Sequence, residues 1–119
     1  MTFNEVFTQK EKMDLLERWI LVMSYVYYEL NDNVASDFTY DNNANQLFEL
    51  MGEYPEEYKQ TKYYPFFLNY EIGCTSGFEL ISNVYKNDPD LYKRIEADAK
   101  LALKLKRRMH EQQNHSLVS

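Results

Sequence analysis

Apolar side chains recur every three to four residues between positions 15 and 30, which predicts a long amphipathic helix. Just before it, Thr8 and Glu11 have the spacing of a capping box, in which the Thr8 hydroxyl accepts from the Glu11 amide and the Glu11 carboxylate reaches back. The apolar positions form two neighbouring rows on the helix: Leu15, Trp19, Val22, Val26 and Leu30, and Leu16, Ile20, Met23 and Tyr27. We predict that this broad face packs against a core.

A second helix is predicted after Asn31-Asp32-Asn33, whose side chains favour a turn. Ser36 or Asp37 can cap its first turn, and Gly52 can end it in a left-handed conformation. Its predicted buried face comprises Tyr40, Ala44, Leu47, Phe48 and Met51. The first two helices should therefore form an antiparallel hairpin joined by a short loop.

Helical periodicity fades between residues 53 and 73, where aromatic side chains become dense and Pro55 and Pro65 argue against one continuous helix. This irregular aromatic connector has two interpretations. Its rings can pack onto the helical hairpin. Alternatively, they can form an exposed partner-binding site centred on Tyr63, Tyr64 and Phe67.

Two more helices are predicted in the last third of the chain. Thr75 or Ser76 can start a short helix with apolar positions at Phe78, Leu80, Ile81, Val84 and Tyr85. Asp88 and Pro89 suit the cap and first position of a long C-terminal helix that should run to about His110. Its narrow apolar stripe comprises Leu91, Ile95, Ala99, Ala102 and Leu105. With no alternating strand pattern of useful length, we predict an all-α fold with one domain over residues 1–112 and a flexible tail over 113–119.

Charge is distributed unevenly along the chain, which has a formal net charge of −6. Residues 1–99 carry 8 basic and 18 acidic side chains, whereas residues 100–119 carry five basic ones and only Glu111 as an acid. An acidic body should repel nucleic acid, which argues against a general nucleic-acid binder. The cations of the C-terminal segment can complement the dipole at the end of a helix, or they can contact phosphate.

Candidates for nucleophilic or metal chemistry are few. Cys74 is the single cysteine, so no internal disulfide can form, and with His110 and His115 it does not make a zinc site. Three glycines leave no phosphate-cradling loop. No apolar run approaches a membrane span, and the first residues do not resemble a secretory signal. We therefore expect a cytoplasmic protein with no metal and no membrane contact.

The most specific motif lies between residues 25 and 57, YVYYELNDNVASDFTYDNNANQLFELMGEYPEE. It contains a tyrosine pair, an S-D-x-x-Y-D motif, spaced leucines and a Y-P-E exit, at Tyr27-Tyr28, Ser36-Asp37, Tyr40-Asp41, Leu47, Leu50 and Tyr54-Pro55-Glu56. In this register the stretch resembles domain Ia, the small N-terminal domain of NAD-dependent DNA ligases. Together with the first helix, the resemblance covers residues 7–57.

The resemblance implies a site for the nicotinamide mononucleotide (NMN) half of NAD, over which domain Ia of the ligases closes. The residues that correspond to its nicotinamide-facing side chains are Tyr27, Tyr28, Asp37, Tyr40 and Asp41. Asp37, Tyr40 and Asp41 share one side of a first helical turn, and a cationic nicotinamide ring is attracted to tyrosine faces and carboxylates. On this interpretation the protein binds NMN or NAD for sensing, sequestration or regulation.

Catalysis is not expected. The ligases carry a separate nucleotidyltransferase domain with a K-x-D-G lysine motif, which has no room in this chain, and Lys86-Asn87-Asp88-Pro89 has proline in place of the glycine. The alternative function is an acidic protein-interaction module without a small-molecule ligand, such as a phage-encoded or mobile-element-encoded inhibitor of a host protein. A protein partner is then expected, and a homodimer through exposed aromatic residues is a further option.

Overall fold

The computed structural model describes residues 6–68 and 76–118, with side chains as far as residue 112. In these ranges the chain forms six helices and no strand: α1 (Gln9–Tyr28), α2 (Asp37–Glu53), α3 (Pro55–Tyr58), α4 (Tyr64–Phe67), α5 (Gly77–Asn87) and α6 (Pro89–Val118). The all-α prediction is confirmed. Cys74 and Thr75 lie outside the described residues, as does the side chain of His115.

Helix α1 forms the centre of the fold, because α2, α5 and α6 all pack against it. Packing on three sides buries more of the helix than the two predicted apolar rows, including Leu21, Ser24 and Tyr25. Two members of those rows, Leu15 and Tyr27, are instead 47% and 56% exposed. The predicted helix is therefore correct, but its buried face is wider than the two predicted rows and is turned away from Leu15 and Tyr27.

Four of the six described helices start at predicted capping side chains. Each cap accepts a hydrogen bond from the backbone amide three residues later, at Thr8, Ser36, Ser76 and Asp88. At Thr8 the capping box is complete, because Glu11 also accepts from the Thr8 amide at 3.0 Å. The predicted stop at Gly52 is wrong, since α2 runs through it to Glu53 and ends just before a proline.

Helix α2 packs on α1 through a narrower face than predicted. Ala44 and Leu47 are buried, whereas Tyr40 and Met51 are only partly buried. Phe48 is 52% exposed, so the prediction that it belongs to the buried face is wrong. The physical reason is that α1 covers only one side of α2.

The aromatic connector contains two short helices, α3 and α4, each with a proline in its first turn. Phe67 is fully buried, Tyr58 and Tyr63 are almost fully buried, and Tyr64 and Phe66 pack against the same core. The Tyr58 hydroxyl donates to the backbone carbonyl of Phe67. The connector therefore packs onto the hairpin. As a partner-binding surface, the set Tyr63, Tyr64 and Phe67 needs correction, because two of its three rings belong to the core.

Helix α6 contributes one buried residue per turn, at Leu91, Ile95, Ala99 and Leu103. Leu105, which was predicted to share this stripe, is 49% exposed because the buried row advances in steps of four. The helix continues to Val118, beyond the predicted end near His110, since no glycine or proline interrupts it. None of the described helices is both long and apolar enough to cross a lipid bilayer.

Candidate functional site at the end of the first helix

Three aromatic rings form an exposed cluster where α1 ends and α5 begins. The ring centroids of Tyr27 and Tyr28 are 4.8 Å apart and those of Tyr28 and Phe78 are 6.0 Å apart, both in edge-to-face arrangements. The three side chains are 56%, 45% and 56% exposed, respectively. Together Tyr27, Tyr28 and Phe78 are named the aromatic patch.

The backbone around the aromatic patch brings α5 close to α1. A Cβ placed on Gly77 would lie 2.5 Å from the Ser24 hydroxyl oxygen and 3.0 Å from a ring carbon of Tyr28. Glycine permits this approach because it has no side chain. Phe78 follows directly and is thereby held beside Tyr28. On the other side, Asn31 adopts a φ of 52° and turns the chain away after α1.

Tyr40, one of the five residues implied by the ligase resemblance, is partly buried, and its surroundings perturb its hydroxyl. Burial raises the pKa of the Tyr40 hydroxyl, a hydrogen bond with Ser24 opposes the rise, and the nearby Tyr28 and Asp41 add to it. The grouping of Tyr27, Tyr28, Asp37, Tyr40 and Asp41 into one nucleotide site stays a prediction.

Tyr40 is nevertheless turned partly inward. Its ring packs on Trp19 at a centroid distance of 5.8 Å, and its hydroxyl shares a 3.3 Å hydrogen bond with Ser24. Ser24 in turn lies against Gly77, which contacts Tyr28. The protein's own residues therefore occupy part of the space that the prediction assigned to a ligand.

The remaining predicted nucleotide-binding residues lie on the surface. Asp37 and Asp41 are exposed in the first turns of α2, and within the described ranges neither carboxylate makes a hydrogen bond or ion pair. Tyr27 contacts the ring of Tyr28. The accessible part of the predicted site thus consists of two tyrosine rings and two carboxylates.

Sequence reasoning placed Phe78 among the apolar positions of α5 and missed its exposure. The residue lies in the first turn of α5, at the edge of the core, and it reaches the patch only because Gly77 packs on α1. The available signal was the small residue directly after the capping Ser76. Gly77 packs against Ser24, about fifty positions earlier in the chain. The residues around Gly77 therefore could not indicate that Phe78 would be exposed.

A second row of aromatic rings packs between α6 and α1. The ring centroid of Tyr92 is 5.4 Å from that of Tyr25 and 5.0 Å from that of Tyr85. The Tyr25 hydroxyl donates to the carboxylate of Glu96 at 2.6 Å. Burial and this bond raise the pKa of Tyr25, and the same bond lowers the pKa of Glu96. Because Tyr25 is buried, we interpret this row as structural.

One buried carboxyl group lies beneath the connector. Glu17 is fully buried, its Oε2 accepts from the Thr61 hydroxyl at 3.2 Å, and its Oε1 has no hydrogen-bond partner in the described ranges. Burial raises the pKa of Glu17 to about 8, although the bond from Thr61 opposes this. Shifted carboxyl groups occur at catalytic sites, but this one is enclosed by the core.

Metal ligation has no candidate in the described residues, where no group of three or more His, Cys, Asp or Glu side chains could hold an ion. Comparisons with models of protein families, with characterised proteins and with solved structures give no match for this chain. The resemblance to ligase domain Ia therefore remains a prediction based on motif spacing. Function must be inferred from surfaces such as the aromatic patch.

Proposed function

We propose that this protein is a protein-binding module and that the aromatic patch is the centre of its binding surface. The observation that supports this is that Tyr27, Tyr28 and Phe78 pack edge to face and remain about half exposed. Aromatic residues are enriched at the centres of protein interfaces, where they bury large areas. Their mutual contacts hold the rings in place before a partner arrives, which lowers the entropic cost of binding.

Exposed carboxylates next to the aromatic patch favour a basic partner. Glu29 follows Tyr28 in the chain, Glu79 follows Phe78, and both of these side chains are exposed. Arginine stacks on aromatic faces and pairs with carboxylates. We therefore expect an arginine-containing protein surface. Nucleic-acid-binding proteins offer such surfaces, and an acidic inhibitor can compete for them by charge.

Site-specific crosslinking in the native cell tests the proposal. A photoreactive phenylalanine analogue at position 78 should capture a partner protein. The matched control has the analogue at position 48, because Phe48 is also about half exposed but lies on α2. Capture at position 78 without capture at 48 supports the proposal, whereas no capture at 78, or equal capture at both, contradicts it.

Affinity for the captured protein then provides a quantitative test. We expect Phe78→Ser to weaken binding by about 30-fold, the equivalent of a hot spot of about 2 kcal/mol. Phe48→Ser should bind as the wild type does. Circular dichroism of both variants verifies that the fold is intact. Unchanged affinity of a folded Phe78→Ser variant would show that the aromatic patch is not the centre of the interface.

Nicotinamide-nucleotide binding is the second candidate function, and it is favoured by the exposed tyrosine pair at the end of α1 and by the exposed Asp37 and Asp41 carboxylates at the start of α2. A cationic nicotinamide ring could stack on an exposed tyrosine face beside Asp37 and Asp41. The ligand would be NMN or NAD, held for sensing, sequestration or regulation. Neither candidate function includes a catalytic step by this chain.

Titration calorimetry with NMN, NAD and AMP separates the two candidates. AMP lacks the cationic ring and serves as the ligand control. Binding of NMN should weaken in Asp41→Asn and persist in Glu49→Gln, which changes another exposed carboxylate of α2. No saturable heat with NMN at about millimolar concentration, or equal heats with NMN and AMP, would remove this candidate and leave protein binding unaffected.

A further inference from the structure

A groove with an excess of cations lies between the chain segment after α1 and the C-terminal half of α6. Its volume is about 590 Å³, within the range of small-molecule sites. Leu30 and Leu103 contribute apolar surface to it. Its charged lining consists of Lys100, Lys104, Arg107, Arg108 and Glu111. These seven residues define the cationic groove.

Part of this positive charge has a structural explanation. Lys106, just outside the groove, and Arg107 pair with Asp32 at 3.2 Å and 3.8 Å. Lys106 also donates to the backbone carbonyl of Asn33. The backbone amide of Asn33 and then Lys106 lower the pKa of Asp32. These contacts tie the loop after α1 to α6, so the wall of the groove that contains Leu30 is held in place.

The remaining positive charge is not explained by the fold. Lys104 and Arg108 lie one turn apart on α6, and neither forms an ion pair with a side chain of the described ranges. Lys100 lies one further turn back and pairs with Glu96 at 3.7 Å. Like charges at this spacing repel each other on a helix. Their alignment beside a groove, on an otherwise acidic protein, indicates an anionic ligand.

We propose that the cationic groove binds a small ligand with two or more adjacent phosphate groups, such as tripolyphosphate or a nucleoside diphosphate. Arg108 can bind phosphate oxygens in a bidentate manner, and the lysines add point charges. The apolar surface of Leu30 and Leu103 can accept the organic part of such a ligand. The proposal is independent of the proposed function, because the groove and the aromatic patch share no residue.

The charge of the rest of the chain favours a compact ligand over a long polyanion. Residues 1–99 carry a net charge of −10, from 8 basic and 18 acidic side chains. A nucleic-acid strand extending past the groove would meet this acidic body, whereas a ligand confined to the groove contacts mainly its cations. A short phosphate chain is therefore the ligand that this charge distribution fits.

Titration calorimetry of the full chain with tripolyphosphate and with ADP at low salt tests this proposal. We expect saturable binding that weakens by about tenfold or more in Lys104→Gln/Arg108→Gln, since each charged hydrogen bond is worth about that factor. The matched control is Lys93→Gln/Arg94→Gln, which removes two exposed cations of α6 outside the groove. Thermal melts verify that both double variants fold.

A further titration with pyrophosphate, which has two phosphate groups and no nucleoside, distinguishes the source of the phosphates. Tighter binding of ADP than of pyrophosphate would indicate that Leu30 and Leu103 contact the nucleoside. Equal binding would indicate that the groove recognises phosphate groups alone. Both results support the proposal. Absence of saturation with either ligand, equal weakening in the control variant, or tighter binding of a short single-stranded oligonucleotide would overturn it.

Discussion

Two groups of aromatic residues in this chain have similar composition and opposite environments. Tyr63 and Phe67 lie in the densest aromatic stretch of the sequence and are buried, whereas Tyr27 and Phe78 come from distant positions and are more than half exposed. The connector rests on the helical hairpin, which covers its rings. The aromatic patch lies at helix ends. Exposure of a ring is therefore decided by the element that covers it, and local aromatic density is a poor guide.

The sharpest test of this comparison is one alanine substitution in each group. Phe67→Ala should lower the free energy of unfolding by about 3–5 kcal/mol, because it removes a fully buried ring and leaves a cavity. Phe78→Ala should change it by no more than about 0.5 kcal/mol, as is usual for exposed positions. Urea unfolding monitored by circular dichroism measures both values. Similar losses of unfolding free energy in the two variants would show that the two groups of rings do not differ in their contribution to stability.

The pH dependence of stability should come from the connector side of the molecule. Glu17 holds its proton up to about pH 8 when folded and releases it near 4.5 when unfolded, so stability is fully present below pH 4.5 and falls as pH rises towards 8. The slope is at most about 1.4 kcal/mol per pH unit.

Glu17→Gln provides the control for this pH effect. Its amide oxygen can still accept from Thr61, but it has no proton to release. The stability of Glu17→Gln relative to the wild type should therefore rise between pH 5 and about 7.5, as measured by urea unfolding at several pH values. Parallel pH profiles for the two proteins would show that Glu17 does not titrate in this window.

The geometry of the aromatic patch depends on Gly77. Gly77→Ala should cost about 1–3 kcal/mol, because the added methyl group would overlap the Ser24 side chain. It should also weaken partner binding by moving Phe78 away from Tyr28. Thermal unfolding and the crosslinking assay measure these two effects. A stable Gly77→Ala variant with unchanged capture would show that the close approach is not required.

Tyr25 is an intermediate case, since it is a buried ring with a polar tip directed at a partly exposed carboxylate. Tyr25→Phe should cost about 1 kcal/mol, the usual value of one hydrogen bond, because Glu96 can be hydrated when the hydroxyl is lost. Urea unfolding measures the loss. A cost as large as that of Phe67→Ala would mean that the bond to Glu96 is far stronger than an ordinary hydrogen bond.

The predicted site shows where interpretation of the sequence reached its limit. The sequence indicated that Tyr28 lies at the end of one helix and that Tyr40 and Asp41 lie in the first turns of the next, because caps and periodicity are local. Tyr40 was predicted on the buried face of α2, and its ring packs on Trp19, but its hydrogen bond with Ser24 could not be predicted because Ser24 lies where α5 approaches α1. Phe78 was missed for the same reason.

Sequence information alone was sufficient for the all-α class, the capped helix starts and the segregation of acidic and basic residues. Caps and helical periodicity depend on contacts within about four positions, and charge is simply additive along the chain. The assembled fold was needed to determine that Tyr63 and Phe67 are core, that Phe78 joins Tyr28, and that Leu30 meets α6. Those features depend on which elements pack together from distant parts of the chain.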